Sequence, residues 1–330
     1  MTRTVCTFHF DEFEDAMLGL DGHYILLDRS RLHWIIDVLD LTGLAMMVGR
    51  NGAPSVYRGA CLPRQYGLLV PISQFDGLKF NGNALGQCTA CWMPPAEEFS
   101  VPASAGFNWL CVVVNESYVR HWVDAGLLDE RATELHWGHA SHPSIRRLET
   151  LVQSTMSVVA NAPSDLRDAL RQQLLDATLD VVRSIRPGRD PPKGRPRISR
   201  TKLLKRVLDF AEEFIDQPIR VSDFCALTEV HVATLQNVFA EQFGVSPHRY
   251  LMLLRLHAVY RAIRNADPSD TVSTICAHYG VWDLGRFASQ YRQYFGIAPS
   301  KALELSLRRH QRAGSDLGPE SSLSSAQLEK

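Results

Sequence analysis

The chain has 330 residues and a mass of 37.0 kDa, a length that favours two domains and excludes a single small module. Hydrophobic residues make up 45% and charged residues 22%, an ordinary globular composition that excludes wholesale disorder and a fibrous protein. The net charge of −1 conceals a division, because residues 1–182 carry 13 basic against 21 acidic side chains and residues 183–310 carry 20 against 12. The second part is therefore basic and suits an anionic partner.

The N-terminus and the apolar runs bear on the location of the chain. The first residues become acidic where a signal peptide needs an apolar run. The longest apolar stretches, 41–48 and 109–114, are far shorter than the roughly 20 residues that span a bilayer. Seven cysteines, an odd number in a long chain, favour reduced thiols over a disulfide framework. We therefore expect a cytoplasmic protein that does not cross a membrane.

The first part of the chain is predicted to be rich in β-strands. Between residues 34 and 114 short apolar runs alternate with Gly, Pro and Asn, without the long helical periods that separate parallel strands. This spacing favours an antiparallel sandwich or a small cupin-like barrel, within a chain of the α+β class. The runs are WIIDVL, GLAMMVG, YGLLVPI, QCTACWM and NWLCVVV.

Two amphipathic helices are predicted to follow, over residues 143–159 and 163–185, and a proline opens each one. Their apolar stripes would either cover the β-rich core or pack against a second copy of the chain, and the sequence leaves both alternatives open. If they form a dimer contact, we expect Leu166, Leu170 and Leu174 to lie in it.

A basic stretch rich in proline marks the predicted domain boundary. Residues 183–206 hold ten basic side chains against one acidic side chain, and four prolines and two glycines forbid a continuous helix. The stretch is either a solvated tether or an arm that follows a phosphate backbone. The predicted organisation is a sensor and dimerisation domain over 1–182, a linker over 183–200, a helical domain over 201–309 and a Ser-rich disordered tail over 310–330.

The helical domain contains an internal repeat. Residues 221–230 align with 272–281 at an offset of 51, and 235–247 align with 287–299 at an offset of 52. Each copy is predicted to be a short helix, a turn and a longer helix that ends at a glycine, the layout of a helix-turn-helix. A helix over 247–265, roughly 28 Å long at about 1.5 Å per residue, joins the copies. Its length would let one chain read two successive major grooves.

The best-defined segments of the repeat are LQNVFAEQFGVSPHRYL, the pair Arg255-Leu256 and GVWDLGRFASQYRQYFGIAPS. Together with the spacing of the repeat, they resemble the AraC/XylS family of transcription regulators over about residues 200–305. Three positions depart from the family pattern: His231 stands where a Ser cap is usual, Val281 replaces a Phe, and Gly285 falls inside the second reading helix. The letters WDLGRF are similar to the ethanolamine-operon regulators of this family.

The resemblance implies a function for each half of the chain. The β-rich half would respond to a small-molecule effector and dimerise, and the helical half would bind double-stranded promoter DNA and recruit RNA polymerase, most often as an activator. The sequence singles out no residue of the first half as a ligand-binding site and does not identify the effector.

The resemblance also places the DNA contacts on the outer faces of the two longer helices. The amides of Gln236 and Asn237 suit adenine, and the guanidinium of Arg286 suits guanine. The residues predicted to read bases are Ala233, Gln236, Asn237, Leu284, Gly285, Arg286, Ser289 and Gln290. The residues predicted to contact phosphates are Arg249, Arg292 and Lys301.

Signals for other chemistry are weak. Cys88 and Cys91 form a single CxxC in an apolar run, without the second pair of a zinc site, and are interpreted as core thiols. The histidines of HWGHASH, residues 136, 139 and 142, are interpreted as incidental in a turn. The HxH pair of a cupin metal site and the nucleotide-binding fingerprints do not occur.

We therefore predict no catalytic residue, no metal and no cofactor. Three alternatives remain open: a small-molecule-binding barrel enzyme with an appended helical domain, a constitutive regulator whose first half only dimerises, and a protein-interaction adaptor.

Overall fold

A computed structural model describes residues 2–30, 32–72, 78–86, 88–187 and 200–315. The middle of the predicted linker, 188–199, and residues 316–330 of the predicted tail lie outside the described residues. The chain divides into two compact units. The first unit is Met1–Phe210 with Val221–Tyr250, and the second is Ala211–Arg220 with Leu251–Lys330. The domain boundaries expected from the sequence stay a prediction.

The first unit contains the described strands and most of the helices. The strands are β1 (Thr2–Thr7), β2 (Leu20–Leu26), β3 (Trp34–Leu41), β4 (Leu44–Arg50), β5 (Ser55–Cys61), β6 (Gln65–Pro71), β7 (Lys79–Phe80), β8 (Asn83–Ala84), β9 (Thr89–Met93), β10 (Phe99–Ala103), β11 (Asn108–Asn115), β12 (His136–His139) and β13 (Arg186–Pro187). The helices, including two that continue into the second unit, are α1 (Phe10–Glu14), α2 (Glu116–Asp124), α3 (His142–Val158), α4 (Ser164–Ser184), α5 (Arg200–Glu213), α6 (Val221–Thr228), α7 (Val232–Phe243) and α8 (Pro247–Arg264).

The strands form two larger antiparallel sheets and a small hairpin. The first sheet has the order β1-β3-β4-β11-β6-β9-β12-β13, the second β10-β5-β2, and β7 pairs with β8. Strand β11 is central, with Cys111 opposite Met47 of β4 and Leu69 of β6. Because both faces of β11 are covered, its residues are continuously apolar. Each of the five apolar runs noted in the sequence overlaps a strand in its described residues, which confirms the β-rich first half.

Helices α3 and α4 cover one face of the larger sheet. Within one chain, their apolar stripes therefore pack on the β-rich core, which is the first of the two alternatives that the sequence left open. Ile145, Leu148 and Val152 of α3 pack in one buried cluster with strand residues such as Val112. Leu174 of α4 is 0% exposed in that cluster and has no surface left for another chain. The prediction that Leu174 lies in a dimer contact is therefore wrong.

The repeat predicted from the sequence is confirmed as two helix-turn-helix segments. Helices α6 and α7 form the first, and α9 (Val272–His278) and α10 (Leu284–Phe295) form the second. Helices α7 and α10 have 12 residues each and end at Gly244 (φ 68°) and Gly296 (φ 79°), left-handed positions at which a side chain would strain the backbone. Helix α8 matches the predicted connecting helix.

The last helix, α11 (Pro299–Ser315), extends past residue 310, where the sequence placed the start of a disordered tail, so that prediction is wrong for residues 310–315. Within the described part of the chain, the helices are all too short or too polar to cross a bilayer.

Candidate nucleic-acid interface and ligand cavity

Helix α7 has one buried face, which fixes its orientation in the first unit. Leu235, Val238 and Phe239 are at most 4% exposed, and the rings of Phe239 and Phe243 pack on Tyr250 with centroid distances of 5.5 and 4.8 Å. At its start, the Nδ1 atom of His231 accepts a hydrogen bond from the backbone N–H of Ala233 at 3.3 Å. The imidazole thus does the work of the usual serine cap, which explains this departure from the family pattern.

The opposite face of α7 presents the base-reading candidates to solvent. Ala233, Gln236 and Asn237 are all exposed. The side-chain amides of Gln236 and Asn237 make no hydrogen bond to any described residue, so their donors and acceptors are available to a partner. This is the arrangement that bidentate reading of adenine needs.

Helix α10 repeats the arrangement in the second unit. The carboxylate Oδ1 atom of Asp283 caps the helix by accepting from the N–H of Arg286 at 3.0 Å. Phe287, Tyr291 and Phe295 form the buried face, and Phe295 lies against Tyr260 of α8 with ring centroids 4.2 Å apart. On the outer face, Leu284, Gly285, Arg286 and Ser289 are exposed and Gln290 is half-buried.

The phosphate candidates differ in how free their charges are. Arg249 and Arg292 are exposed, and within the described residues the guanidinium of Arg292 has no ion-pair partner. The Nζ atom of Lys301 lies 2.8 Å from the carboxylate of Glu304, so part of its charge is already compensated. Arg292 is therefore a better phosphate candidate than Lys301.

Arg255, part of the sequence resemblance, has a structural role within the second unit. Its Nη2 atom donates to the backbone carbonyls of Gln217 and Ile219, both at 3.1 Å. Burial lowers the pKa of its guanidinium, and these two acceptors replace water around it. Arg255 thereby fixes the segment that precedes α6.

The β-rich part of the first unit contains a partly open apolar cavity lined by residues of its two larger sheets. Its free volume is about 30 Å³, which is room for about one water molecule. The rings of Tyr57 and Tyr24 are 5.0 Å apart, and the indole N–H of Trp109 donates to Asn51 at 2.9 Å. The cavity is lined by Met17, Leu20, Tyr24, Asn51, Tyr57, Leu69, Met93, Phe99, Val101, Ala103, Phe107, Trp109 and Cys111.

The groups that line this cavity are uncharged. Burial raises the pKa of the Tyr24 and Tyr57 phenols and of the Cys111 thiol, so all three are neutral near pH 7. The lining described here contains no Lys, Arg, Asp or Glu. Its chemistry therefore suits an uncharged, largely apolar molecule, and admitting one requires the aromatic side chains to move.

An ionic cluster that the sequence did not reveal lies on the other side of strand β5. Tyr57 lines the cavity, while the next residue, Arg58, faces helix α5 because successive strand residues point to opposite faces. The Arg58 side chain is 7% exposed and its Nη2 atom lies 2.9 Å from Asp209 of α5 and 3.7 Å from Glu98. Lys205 completes the cluster at 3.0 Å from Glu98 and 3.1 Å from Asp209.

The cysteines and histidines that the sequence offered for redox or metal chemistry have structural positions in the fold. Cys91 is fully buried on β9, and burial raises the pKa of its thiol. Histidines 136 and 139 lie on strand β12, not in the turn that we expected, because HWGH pairs with β9. Among the residues described, no three His, Cys, Asp or Glu side chains come close enough to hold a metal ion.

Comparisons with known proteins agree with the geometry of the helical part. Residues 224–304 match the sequence family described as a helix-turn-helix domain. A probable thc operon regulatory protein of Rhodococcus erythropolis is 32% identical over 102 residues, which are 31% of this chain and 31% of that protein. A XylDLEGF operon transcriptional activator of Pseudomonas putida is 35% identical over 102 residues, 30% of this chain and 31% of that protein.

Among similar solved structures, one matches about a third of this chain. A probable AraC family transcriptional regulator from Rhodopseudomonas palustris CGA009 is 26% identical and covers 32% of this chain and 97% of its own, with a TM-score of 0.30. The chain thus spans about a third of the length of the curated relatives it matches. Residues 224–304 are a helix-turn-helix domain, and the operon regulators that match this part of the chain agree with the resemblance noted in the sequence. The narrower likeness to ethanolamine-operon regulators stays a prediction.

Proposed function

We propose that this protein is a sequence-specific DNA-binding transcription regulator that acts on promoter DNA in the cytoplasm. The observation that carries the proposal is the duplicated reading helix. In both copies a buried aromatic and aliphatic face holds the helix, and polar side chains with free hydrogen-bonding groups, Gln236 and Arg286 foremost, face outward. The name of one relative, an operon transcriptional activator, supports activation, and recruitment of RNA polymerase is what the family resemblance implies.

The β-rich half would control the DNA-binding half through a small molecule. The cavity supplies an uncharged apolar site, and its present size means that a ligand must displace side chains such as Tyr57. Because Arg58 follows Tyr57 and bonds to α5, such a displacement would reach the helix that precedes the first helix-turn-helix. A ligand coupled in this way typically changes affinity about 5- to 150-fold. The chain would act by binding and not by catalysis.

The protein is proposed to work as a homodimer. Leu166 is 46% exposed and Leu170 is half-buried on α4, and Val158 at the end of α3 is 49% exposed. These apolar side chains of the two helices stay exposed or half-buried after the core is packed. A second copy would bury them and pair two DNA-binding segments on one promoter.

Recovery of bound genomic fragments tests the proposal. The purified full chain is mixed with fragmented DNA of the organism that encodes it, and the retained fragments are sequenced. We expect a small set of promoter regions that share a motif, and loss of that enrichment in the double variant Gln236→Ala and Arg286→Ala. Retention without any sequence enrichment, or no retention, would contradict the function.

A thermal-shift screen with uncharged aromatic and aliphatic compounds tests the effector. A ligand present at 100 times its dissociation constant stabilises the native state by about 2.7 kcal/mol. If no compound stabilises the chain and the promoter is fully active in every growth medium, the constitutive alternative is favoured instead.

A further inference from the structure

Exposed apolar side chains mark the start of both reading helices. Val232 and Leu284 are each 40% exposed, and Trp282 is 78% exposed, the highest value among the large hydrophobic residues described. Val232 is the first residue of α7 and Leu284 is the first residue of α10. One exposed aliphatic side chain needs no explanation, but these two occupy equivalent places of the repeat, one position after the cap.

Gly285 provides a second, independent indication of a close partner. A Cβ added to Gly285 would meet only the Oδ1 atom of Asp283, at 3.8 Å, which is an ordinary van der Waals contact. Glycine weakens a helix relative to alanine, so the described fold alone would favour alanine here. A surface that approaches the first turn of α10 closely accounts for the glycine.

The first turn of a reading helix is the part that meets the base edges in the major groove. The apolar group displayed in that groove is the C5-methyl of thymine. Further along the same helix, the exposed guanidinium of Arg286 suits a guanine and that of Arg292 suits a phosphate. Thymine therefore matches the apolar start of the helix.

We propose that Val232 and Leu284 read the C5-methyl groups of thymines, with Trp282 extending the apolar surface that precedes α10. The inference rests on the proposed DNA-binding function and adds a chemical class to it: each reading helix begins with a contact to a methyl group and continues with polar contacts. Gly285 lets the helix come near enough for Leu284 to reach the methyl.

Deoxyuridine substitution tests this without altering the protein. A duplex selected by the full chain from a randomised pool is resynthesised with each thymine replaced, one at a time, by deoxyuridine, which lacks only the methyl group. We expect at least one thymine under each helix whose replacement weakens binding about fourfold, which corresponds to about 0.8 kcal/mol for one buried carbon.

Variants then connect each methyl group to its side chain. Leu284→Ala should weaken binding to the thymine duplex by a similar factor and abolish the effect of deoxyuridine at one position only, and Val232→Ala should do so at a different position. Gly285→Ala should weaken binding while it raises the thermal unfolding midpoint. Leu305→Ala is the control, because it removes a leucine of matched exposure, 38%, from α11. It should change neither the affinity for the thymine duplex nor the response to deoxyuridine.

The outcomes separate this inference from the function on which it rests. If the chain selects a specific sequence but no thymine replacement weakens binding, methyl reading is wrong and the DNA-binding function stands. If Leu284→Ala instead changes the sedimentation of the chain and leaves the response to deoxyuridine intact, the apolar surface belongs to an interface between copies, and methyl reading is overturned.

Discussion

The guanidinium of Arg58 on strand β5 and the carboxylate of Asp209 on helix α5 are joined by a hydrogen bond of 2.9 Å across 151 residues of sequence. Arg58 is the buried partner, and Asp209 is about a third exposed. If a buried guanidinium loses its anion, the free-energy cost of its desolvation is no longer offset by the ion pair. The link is therefore sensitive to single substitutions, and it ties the wall of the apolar cavity to the helix that leads into the first helix-turn-helix.

Asp209→Asn should destabilise the first unit by about 1 to 3 kcal/mol, because Glu98 at a longer distance only partly replaces the lost charge. Urea unfolding followed by circular dichroism measures the loss. Asp180→Asn is the matched control, since it removes an exposed ion pair with Arg147 of 2.7 Å. Surface pairs of that kind contribute at most about 1 kcal/mol. Equal stability of the two variants would show that the Arg58 cluster does not hold α5.

The Arg58 cluster could not be predicted from the sequence. The strands, the repeat, both glycine caps and the connecting helix follow from local periodicity and from turn residues, so they could be predicted. The pairing of Arg58 with Asp209 depends on tertiary packing of distant segments and has no local signal. The same limit explains Leu174: the amphipathic stripe of α4 shows which side is apolar, but not whether a sheet or a second chain covers it.

Substitutions in the two reading helices should separate base reading from phosphate contact. Gln236→Ala or Arg286→Ala should cost about 1 to 3 kcal/mol on the selected site and flatten the preference at one or two base pairs, because a bidentate contact is lost. Arg292→Ala should weaken all sequences by a similar factor. The measurement is selection from a randomised duplex pool. An unchanged base preference for Arg286→Ala would mean that α10 does not read the groove as proposed.

A charge on the free surface of α4 should dissociate the proposed dimer. Leu166→Glu with Leu170→Glu places two carboxylates at the predicted contact, where desolvation and mutual repulsion oppose association. Sedimentation velocity should show a dimer before the substitution and a monomer after it. Arg183→Glu, on the exposed side of the last turn of α4, is a control that should leave the dimer intact. A monomer in the unmodified protein would refute the contact.

The second unit should lose stability in mild acid because of His257. Burial lowers its pKa to about 3, whereas an unfolded histidine has a pKa of about 6.5. Below about pH 6.5 the imidazole of the unfolded chain binds a proton that the buried imidazole of the native chain does not bind. This contribution to stability is therefore present above about pH 6.5 and falls as the pH drops toward 3. Between about pH 6.5 and pH 5 the loss is about 1 to 2 kcal/mol.

Urea unfolding of the full chain at the two pH values measures this loss, with His257→Phe as the variant that removes the titrating group. The variant should show a smaller loss between the two pH values than the unmodified chain. His248→Gln changes an exposed histidine of the same helix and should leave the loss unchanged. An identical pH dependence in the unmodified chain and in His257→Phe would exclude the contribution of His257.

The salt dependence of binding to a selected promoter fragment tests the DNA-binding function most directly. A chain that neutralises about five phosphates releases their counterions, so a plot of the logarithm of the affinity against the logarithm of salt concentration should have a slope near −4 to −5. Arg292→Ala should reduce the magnitude of that slope by about 1. A selected fragment bound with this slope supports a DNA-binding regulator, whereas the absence of binding, or an affinity that does not change with salt, would contradict it.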